Sequence, residues 1–320
     1  MRSRRGSSPT AANVVDVTSP SSRSGILLID KPPVLTSHDV VARTRRLAGT
    51  RKVGHAGTLD PLATGLLVLG VNSSTRLLTY VVGLDKEYEA VIRLGASTTT
   101  DDSEGEVIET ASAAAMDSVD DARIVAGLAA QTGEVRQRPS SVSAIKVDGK
   151  RAYARVRGGE TVVLDARSVT ISSIDVLASE PSADPAFRDV SVRVVCSSGT
   201  YIRAIARDLG DALGVGGHLV ALRRTRIGPF RIDEAHTLEE VEPERDLVAP
   251  ATIADRLFTT VTLDAEQAAD LRNGKRVALD RPDTAGPLAA IDPEGLLIGL
   301  VELSNGTTRV LVNFPTDTVS

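Results

Sequence analysis

Length, composition and charge narrow the class of this protein before any motif is considered. The chain has 320 residues, 42% hydrophobic and 25% charged, which is ordinary for a soluble globular protein with one large and one small domain, or two medium ones. Its formal net charge of -5 excludes a bulk polycation that binds nucleic acid through charge alone. A single cysteine, Cys196, excludes an intrachain disulfide and a cysteine-based zinc site, so we expect a reducing, cytoplasmic compartment.

The N-terminal part of the chain is predicted to contain a tail, a strand and two helices. The first 23 residues are rich in serine and arginine and lack an apolar core, which predicts a disordered basic tail. No stretch of the chain has the roughly 20 apolar residues of a membrane span. A strand is expected at Gly25–Asp30, followed by a helix from Ser37, its predicted N-cap, to Leu47. Ser73 is predicted to cap the second helix.

Alternating and helical patterns predict the elements in the middle of the chain. Lys86–Gly95 alternates strictly, and Tyr88 lies on its apolar face. A helix is expected near Val119–Gln131. A second alternating segment ends at Cys196, and the apolar stripe of Ile202–Leu213 predicts a helix that the following glycine ends.

The C-terminal part predicts a small, mainly β domain. The acidic segment Glu239–Pro250 contains two prolines and is interpreted as a linker. A predicted helix, Ala265–Arg272, comes next. It is followed by a hairpin whose strands, Leu297–Leu303 and Thr308–Phe314, flank an Asn-Gly turn signal. The domain is therefore expected to begin at about Ala251.

An aspartate in the stretch RKVGHAGTLDPLATGLLVLG is the first candidate for chemistry. Asp60 is its only acid, and four glycines lie near it beside an apolar run of strand length. Asp before Pro is a frequent turn dipeptide, which is a purely structural interpretation. The glycines favour a second one, in which another backbone or a ligand approaches an ionised carboxylate. Such a carboxylate can attack or stabilise an electron-poor sugar carbon.

Motifs for metals and cofactors are missing from the sequence. The four histidines are widely spaced and form no metal-ligand pattern. GVGGHL ends a predicted helix instead of opening one, so it does not predict a nucleotide-binding loop. No GxSxG motif or Cys/His pair indicates acyl transfer. We therefore expect no metal and no cofactor.

Five segments resemble the bacterial tRNA pseudouridine-55 synthases, the TruB family. HAGTLDPLATGLLVLGVNSSTRLL resembles the catalytic motif of the family, and DKPPVLTSHDVV resembles its N-terminal Lys-Pro motif. KEYEAVIRLG is similar to the tyrosine strand, RPSSVSAIKVDGKRAY to the RNA-facing basic segment, and CSSGTYIRAIARDLGDALG to the arginine motif. The resemblance covers about Gly25 to Phe230. The remaining part resembles, more loosely, a PUA-like RNA-binding domain.

The resemblance implies a fold, an activity and a partner. The fold would be mixed α+β, with a central, largely antiparallel sheet flanked by helices and a small PUA-like β-barrel. The tail would span residues 1–23, the pseudouridine synthase catalytic domain 24–250 and the PUA-like domain 251–320. The enzyme would isomerise the uridine at position 55 of the tRNA T-loop to pseudouridine, by breaking the N-glycosidic bond of the flipped base and bonding C5 to the sugar. Its partner would be the tRNA T-arm, with no membrane, cofactor or obligatory protein partner.

The resemblance also assigns three catalytic residues. Asp60 would be the catalytic carboxylate, and both attack on C1′ and removal of the C2′ proton remain open. Tyr88, otherwise a core aromatic, would stack under the flipped uracil and help remove the C5 proton, although a phenol with a pKa of about 10 is a poor base unless assisted. Arg203, otherwise a solvated surface partner of Asp211, would pair with Asp60 and keep it ionised.

Further residues are assigned to RNA binding. His55, unless it is a core histidine, would insert into the T-loop and fill the stack that the flipped base leaves. Arg76 stands where the family more often has lysine, so the charge is kept with altered geometry. The other assigned residues are Lys31, near the floor of the active site, Lys146 and Tyr201. The basic segments Lys146–Arg157 and Arg223–Arg226 are either solvated surface or phosphate contacts.

Three alternatives to a stand-alone pseudouridine synthase follow from the same residues. A pure RNA-binding or tRNA-folding protein would keep the basic segments and His55 but would need neither Asp60 nor Arg203. A nucleoside hydrolase would also use a carboxylate, but it would release uracil and have little use for a basic RNA face. A guide-RNA-dependent relative that acts on ribosomal RNA should fail on bare tRNA.

Overall fold

The computed structural model describes residues 23–140, 146–147, 150–151 and 165–315. The predicted N-terminal tail, except for Arg23, lies outside the described residues, and so does most of the basic segment Lys146–Arg157. Within the described ranges, no helix is long and apolar enough to cross a membrane.

A ten-stranded sheet forms the centre of the structure. In chain order, the strands up to residue 237 are β1 (Gly25–Lys31), β2 (Val53–Ala56), β3 (Thr64–Val71), β4 (Lys86–Leu94), β5 (Ala96–Thr98), β6 (Val107–Thr110), β7 (Gly133–Gln137), β8 (Lys146–Val147), β9 (Lys150–Arg151), β10 (Arg167–Pro181), β11 (Arg188–Cys196), β12 (Gly217–Ile227), β13 (Phe230–Arg231) and β14 (His236–Thr237). The central sheet has the order β14–β1–β3–β12–β4–β11–β10–β7, with β2 on β3 and β13 on β12. Only the β1–β14 and β3–β12 pairs are parallel, which confirms the predicted, largely antiparallel sheet.

Helices flank this sheet as predicted for a mixed α+β fold. They are α1 (Ser37–Leu47), α2 (Leu78–Val82), α3 (Ala113–Asp117), α4 (Asp121–Ala129), α5 (Ile202–Leu213), α6 (Pro243–Asp246), α7 (Pro250–Leu257) and α8 (Ala265–Arg272). The helix predicted to start at Ser73 is instead a 3₁₀ turn, Asn72–Leu77, that leads into α2. Helix α5 packs on one face of the sheet, where Ile205 and Leu209 share a core cluster with side chains of β4, β11 and β12.

The N-cap of α1 lies one residue before the predicted one. As a result, the Ser37 side chain anchors a loop instead of capping the helix. Thr36 is the N-cap: its hydroxyl accepts a hydrogen bond from the Asp39 amide, and the Asp39 carboxylate accepts one from the Thr36 amide. The Ser37 hydroxyl does not cap the helix. It accepts a hydrogen bond from the amide of Leu59 at 2.9 Å and donates one to the Leu59 carbonyl oxygen at 3.1 Å. This pair of bonds holds the chain immediately before Asp60.

The C-terminal unit is small and rich in strands, as predicted. Its strands are β15 (Thr259–Thr262), β16 (Leu288–Ile291), β17 (Leu297–Ser304) and β18 (Thr307–Asn313), paired in that order. The predicted hairpin is formed by β17 and β18, and Asn305 and Gly306 have φ values of 51° and 67° in its turn. The described residues show no pairing that joins β15 to β18, so closure into a barrel stays a prediction.

The segment interpreted as a linker, Glu239–Pro250, is packed against the larger sheet instead. The amide of Ile26 donates to the carbonyl oxygen of Val248 at 3.0 Å, and the Val248 amide donates to the Ile26 carbonyl oxygen at 2.9 Å. Val241 and Leu247 are buried in the core cluster beneath β1. Acidic residues and prolines surround these apolar residues in the sequence, so the segment was interpreted as a linker. The burial of the apolar residues fixes the segment to the sheet.

Candidate active site

Asp60 lies in the loop between β2 and β3, and the backbone around it is held on both sides. The loop is fixed by Ser37 before Asp60, as described above. After Asp60, the carbonyl oxygen of Pro61 accepts hydrogen bonds from the Val34 amide at 2.9 Å and from Lys31 Nζ at 3.3 Å. The Asp60 side chain remains 40% exposed. The loop therefore presents a carboxylate at the protein surface from a rigid backbone.

The glycines near Asp60 serve the close approach that the sequence suggested. Gly65 has a φ of 97°, and a Cβ there would lie 2.3 Å from the carbonyl oxygen of Arg224. Gly57 has a φ of 79°, and a Cβ would lie 3.3 Å from Arg224 Nη1. Both positions adopt a backbone conformation that L side chains rarely tolerate. They let β12, with its arginine, reach the floor beneath the Asp60 loop.

Arg203 forms an ion pair with Asp60, which is the contact predicted from the sequence. Its Nη2 lies 3.0 Å from Asp60 Oδ2, while its Nη1 lies 3.1 Å from Asp102 Oδ2 and donates to the carbonyl oxygen of Thr100 at 2.9 Å. The alternative, a solvated pair with Asp211, does not describe a side chain that is only 6% exposed. Arg203 stands in the first turn of α5, a position that the helix dipole disfavours for a cation, so the two carboxylates account for its placement.

Asp102 belongs to the site although the sequence analysis did not single it out. Its side chain is buried, and its Oδ1 accepts from the Glu104 amide at 3.1 Å and from the Thr100 hydroxyl. Burial, together with the charges of Asp102 and Asp60, raises the pKa of the nearby Glu104 carboxyl. The only signal in the sequence was the acidic run after three threonines, which is typical of a solvated loop.

Tyr88 lies on β4 directly opposite Arg224 on β12, and both side chains are buried. Burial raises the pKa of the Tyr88 phenol, and the neighbouring Arg224 guanidinium opposes that rise. Arg224 Nε donates to the carbonyl oxygen of Leu66 at 2.8 Å, and its Nη2 donates to that of Gly57 at 3.0 Å. Arg224 is thus part of the site, whereas its segment was predicted as solvated surface or phosphate contacts.

Two buried lysines lie close to these groups. Lys31 Nζ donates to the carbonyl oxygens of Pro32 at 2.9 Å and Leu35 at 2.6 Å, and burial lowers its pKa to about 8, opposed by the Asp60 charge. Lys86 Nζ donates to the carbonyl oxygens of Val82 and Leu84, and burial lowers its pKa to about 8 as well. Carbonyl groups, not carboxylates, hold both amines.

An open cleft of about 210 Å³ brings these residues together. Asp60 and Arg203 line it with Tyr88 and Arg224, and the segment 198–202 before and at the start of α5 completes the wall. Tyr201, predicted to bind RNA, lines the cleft, and its amide donates to the Gln137 side chain at 2.7 Å. A carboxylate, a phenol and two guanidinium groups thus face one space that is accessible from outside.

Three other predicted RNA-binding residues, His55, Arg76 and Lys146, are not among the described residues that line this cleft. His55 is half-buried on β2, with its ring edge-on to His38 at 5.5 Å between centroids, and burial lowers its pKa. Arg76 is exposed and donates to the carbonyl oxygen of Asn313, so it contacts the C-terminal unit. Lys146 lies in the short strand β8, but its side chain is outside the described residues.

Family models match nearly the whole described chain. Residues 45–202 match the N-terminal domain of the TruB family pseudouridylate synthases. Residues 203–265 match the tRNA pseudouridylate synthase B C-terminal domain, and residues 258–315 match the C-terminal model of tRNA pseudouridine synthase II.

Relatives and solved structures agree with these matches. The chain is 59% identical to a tRNA pseudouridine synthase B of Leifsonia xyli subsp. xyli, covering 93% of this chain and 98% of that one, and 50% identical to one of Thermobifida fusca, covering 91% and 98%. A chain of a Cbf5-Nop10-Gar1 complex shares the fold with a TM-score of 0.66 at 24% identity, over 95% of this chain and 90% of that one. Sequence identity over almost the full length therefore shows that the chain belongs to the TruB family of pseudouridylate synthases.

Proposed function

We propose that this protein isomerises the uridine at position 55 of the tRNA T-loop to pseudouridine. The observation that carries the proposal is the buried Arg203 guanidinium paired with Asp60 on the wall of an open cleft that Tyr88 also lines. A carboxylate that is partly exposed and paired to an arginine is held in one orientation without being sealed from a substrate. The curated relatives, each named tRNA pseudouridine synthase B, support the same reaction.

Asp60 is the group that acts on the sugar. Its carboxylate carries the negative charge that meets the electron-poor C1′ as the N-glycosidic bond breaks, either by bonding to C1′ or by removing the C2′ proton. Arg203 holds that carboxylate in one orientation, and Asp102 holds Arg203 from the opposite side. The pair is preorganised, so little rearrangement is needed when the substrate binds.

Tyr88 is the group that acts on the base. Its ring forms part of the floor of the cleft, where a flipped uracil can stack on it, and its phenol oxygen is the candidate acceptor for the C5 proton. Flipping a base costs a few kcal/mol. His55, half-buried on β2, is proposed to occupy the space that the flipped base leaves.

The substrate is proposed to be the tRNA T-arm, bound without an obligatory protein partner. Residues 24–250 would form the catalytic domain, and residues 251–320 a PUA-like RNA-binding domain. Lys31, Arg76, Lys146 and Tyr201 are proposed to support RNA binding, with Lys31 acting through the loop that it anchors. A cytoplasmic location is proposed with this substrate, since the single cysteine is buried and unpaired among the described residues.

The test uses unmodified tRNA, the purified full-length protein and nothing else. Nucleoside chromatography should show one pseudouridine per tRNA, none when uridine 55 is replaced by cytidine, and no free uracil. Uracil release would instead indicate a nucleoside hydrolase. Tight binding without either product would indicate a tRNA-binding protein or an enzyme that depends on a guide RNA.

A further inference from the structure

Arg224 is a buried cation whose surroundings differ from those of other arginines in the protein. Its side chain is 1% exposed, and none of the described carboxylates lies within ion-pair distance of it. Its two charged neighbours in the chain are different: Arg223 pairs with Asp30 at 2.6 Å and Arg226 with Asp85 at 2.8 Å. A buried guanidinium is always protonated and is costly without a compensating charge.

The geometry shows where the charge of Arg224 is directed. Two carbonyl oxygens, of Leu66 and Gly57, fix the guanidinium plane, and the positive charge of the guanidinium lies close enough to the Tyr88 phenol to favour the charged form of that phenol. Tyr88 and Arg224 are register partners on adjacent strands, so their side chains lie on the same face at short range. Arg224 is therefore placed to balance negative charge that forms on the phenol oxygen during a reaction.

Other groups near Tyr88 do not supply that charge balance. Cys196, on β11, is buried and its pKa is raised to about 11 by burial, so it is a neutral thiol. Asp60 is already paired with Arg203. Lys86, on the same strand as Tyr88, is held by backbone carbonyl groups, and with a pKa lowered to about 8 it can lose its charge while Arg224 cannot.

We propose that Arg224 is a positioning residue that orients the Tyr88 hydroxyl and balances its phenolate charge, so that Tyr88 can remove the C5 proton. This inference rests on the proposed function. Asp60 and Arg203 would serve the sugar, and Tyr88 and Arg224 the base.

The proton and electron balance of the step is complete without another reactant. After C5 has bonded to C1′, the phenolate oxygen takes the C5 proton, and the electron pair of that C–H bond forms the C5–C6 double bond. The C6–N1 double-bond electrons move to N1, which takes a proton from solvent. That proton matches the one that the phenol released when the phenolate formed.

The experiment compares wild type, Arg224→Met, Tyr88→Phe and the double variant in single-turnover reactions on a T-arm hairpin. The hairpin carries either ordinary or 5-deuterated uridine, so the rate ratio reports on C5 proton removal. Hairpin affinity and the far-UV circular dichroism spectrum are measured for each variant. Arg193→Gln, which removes a 43% exposed arginine on β11, serves as the control.

The expected result has three parts. Arg224→Met slows conversion by about 10²-fold or more, the contribution typical of general-base catalysis, at unchanged hairpin affinity. Its deuterium rate ratio rises above that of wild type, because proton removal has become limiting. The double variant is no slower than Tyr88→Phe alone, because Arg224 acts through Tyr88.

Several results would overturn the proposal. They are a normal rate in Arg224→Met, a slow rate whose deuterium ratio does not change, and losses that multiply in the double variant. If Arg224→Met fails to fold, Arg224→Lys takes its place: it keeps the charge, and its rate should lie between those of wild type and Tyr88→Phe, with the same raised deuterium ratio. A wild-type protein that forms no pseudouridine would refute the proposed function itself, which separates the two failures.

Discussion

Arg203 and Arg224 lie in the same cleft and are both buried, yet their partners are chemically different. Arg203 contacts two carboxylates, those of Asp60 and Asp102. Arg224 donates to two backbone carbonyl groups and lies opposite Tyr88 on the adjacent strand. One guanidinium is therefore compensated by fixed negative charge, whereas the other is proposed to balance negative charge that forms on the Tyr88 phenol oxygen only during the reaction.

With the roles proposed above, this difference divides the cleft into a side for the sugar and a side for the base. Arg203 and Asp60 come from α5 and from the loop before β3, while Tyr88 and Arg224 come from adjacent strands of the sheet. A reaction that breaks a bond at C1′ and later removes a proton from C5 needs both sides at once. Variants that damage one side only can therefore test whether the two act separately.

The largest effect is expected from removing Arg203. Arg203→Met leaves the 3% exposed Asp102 side chain without its cation, and breaking a buried pair typically lowers the free energy of unfolding by about 3–5 kcal/mol. Urea unfolding at neutral pH measures the loss. The exposed pair of Arg193 and Glu89 supplies the control, since Arg193→Met should cost less than about 1 kcal/mol. Equal losses of unfolding free energy in Arg203→Met and Arg193→Met would contradict the expected difference between a buried and an exposed ion pair.

Alanine substitutions at two glycines can separate the effect of steric crowding against the Arg224 backbone from the effect of a positive φ alone. Gly65 and Gly133 have φ values of 97° and 98°, but only at Gly65 would a Cβ meet another residue, the Arg224 carbonyl oxygen at 2.3 Å. Alanine should therefore cost about 1–3 kcal/mol more at Gly65 than at Gly133, the usual range for overpacking. Thermal unfolding of both variants measures this difference in the free energy of unfolding. A difference below about 0.5 kcal/mol, which is the usual error when the effects of separate mutations are compared, would contradict the prediction.

Asp102 is expected to act on the rate more than on binding. Asp102→Asn keeps the shape of the side chain but removes the second charge that orients Arg203, so we expect a loss of up to about 10²-fold in single-turnover rate at unchanged hairpin affinity. The free energy of unfolding should fall by about 1–3 kcal/mol. Asp101→Asn, which breaks the neighbouring pair with Arg207, is the matched control. Equal rates in the two variants would show that Asp102 only supports the loop.

The smallest effect is a pH dependence of stability that comes from Lys86. Its pKa falls from the ordinary 10.5 to about 8 in the folded protein, so the unfolded chain binds more protons between these values. The free energy of unfolding should therefore rise with pH in this window, by up to about 1.4 kcal/mol per pH unit for this group. Urea unfolding of wild type and Lys86→Met is compared from about pH 7.5 to 10, which covers most of that window. The difference between the two proteins isolates the contribution of Lys86 to the pH dependence of stability. If the free energy of unfolding depended on pH in the same way in wild type and Lys86→Met, burial would not lower the pKa of Lys86.

Elements with strong local patterns were predictable from the sequence. The strict alternation of β4, the apolar stripe of α5 and the Asn-Gly turn between β17 and β18 each lie within one short segment, and the structure has all three. Asp60 and Arg203 were also found, through the resemblance of their motifs to a known family. Their contact could not be derived from spacing, because they lie 143 positions apart in the chain.

The elements that the sequence analysis missed depend on contacts between distant segments. Strand β12 lies at the centre of the sheet but contains three arginines among its last five residues, a composition typical of a solvated surface. Gly65 opens the space for its backbone, and carbonyl groups from the Asp60 loop receive Arg224. Asp102 was hidden in the same way, since its burial depends on Arg203, which follows about 100 residues later.

The most direct test of the account is tritium release from a T-arm hairpin labelled at uridine C5, with wild type, Asp60→Asn and Tyr88→Phe. The account predicts release by wild type, none by Asp60→Asn despite tight hairpin binding, and slow release by Tyr88→Phe. In Tyr88→Phe the N-glycosidic bond should still be broken, since Asp60 and Arg203 are intact. Release by Asp60→Asn at a wild-type rate would contradict the central role of its carboxylate and, with it, the division of the cleft.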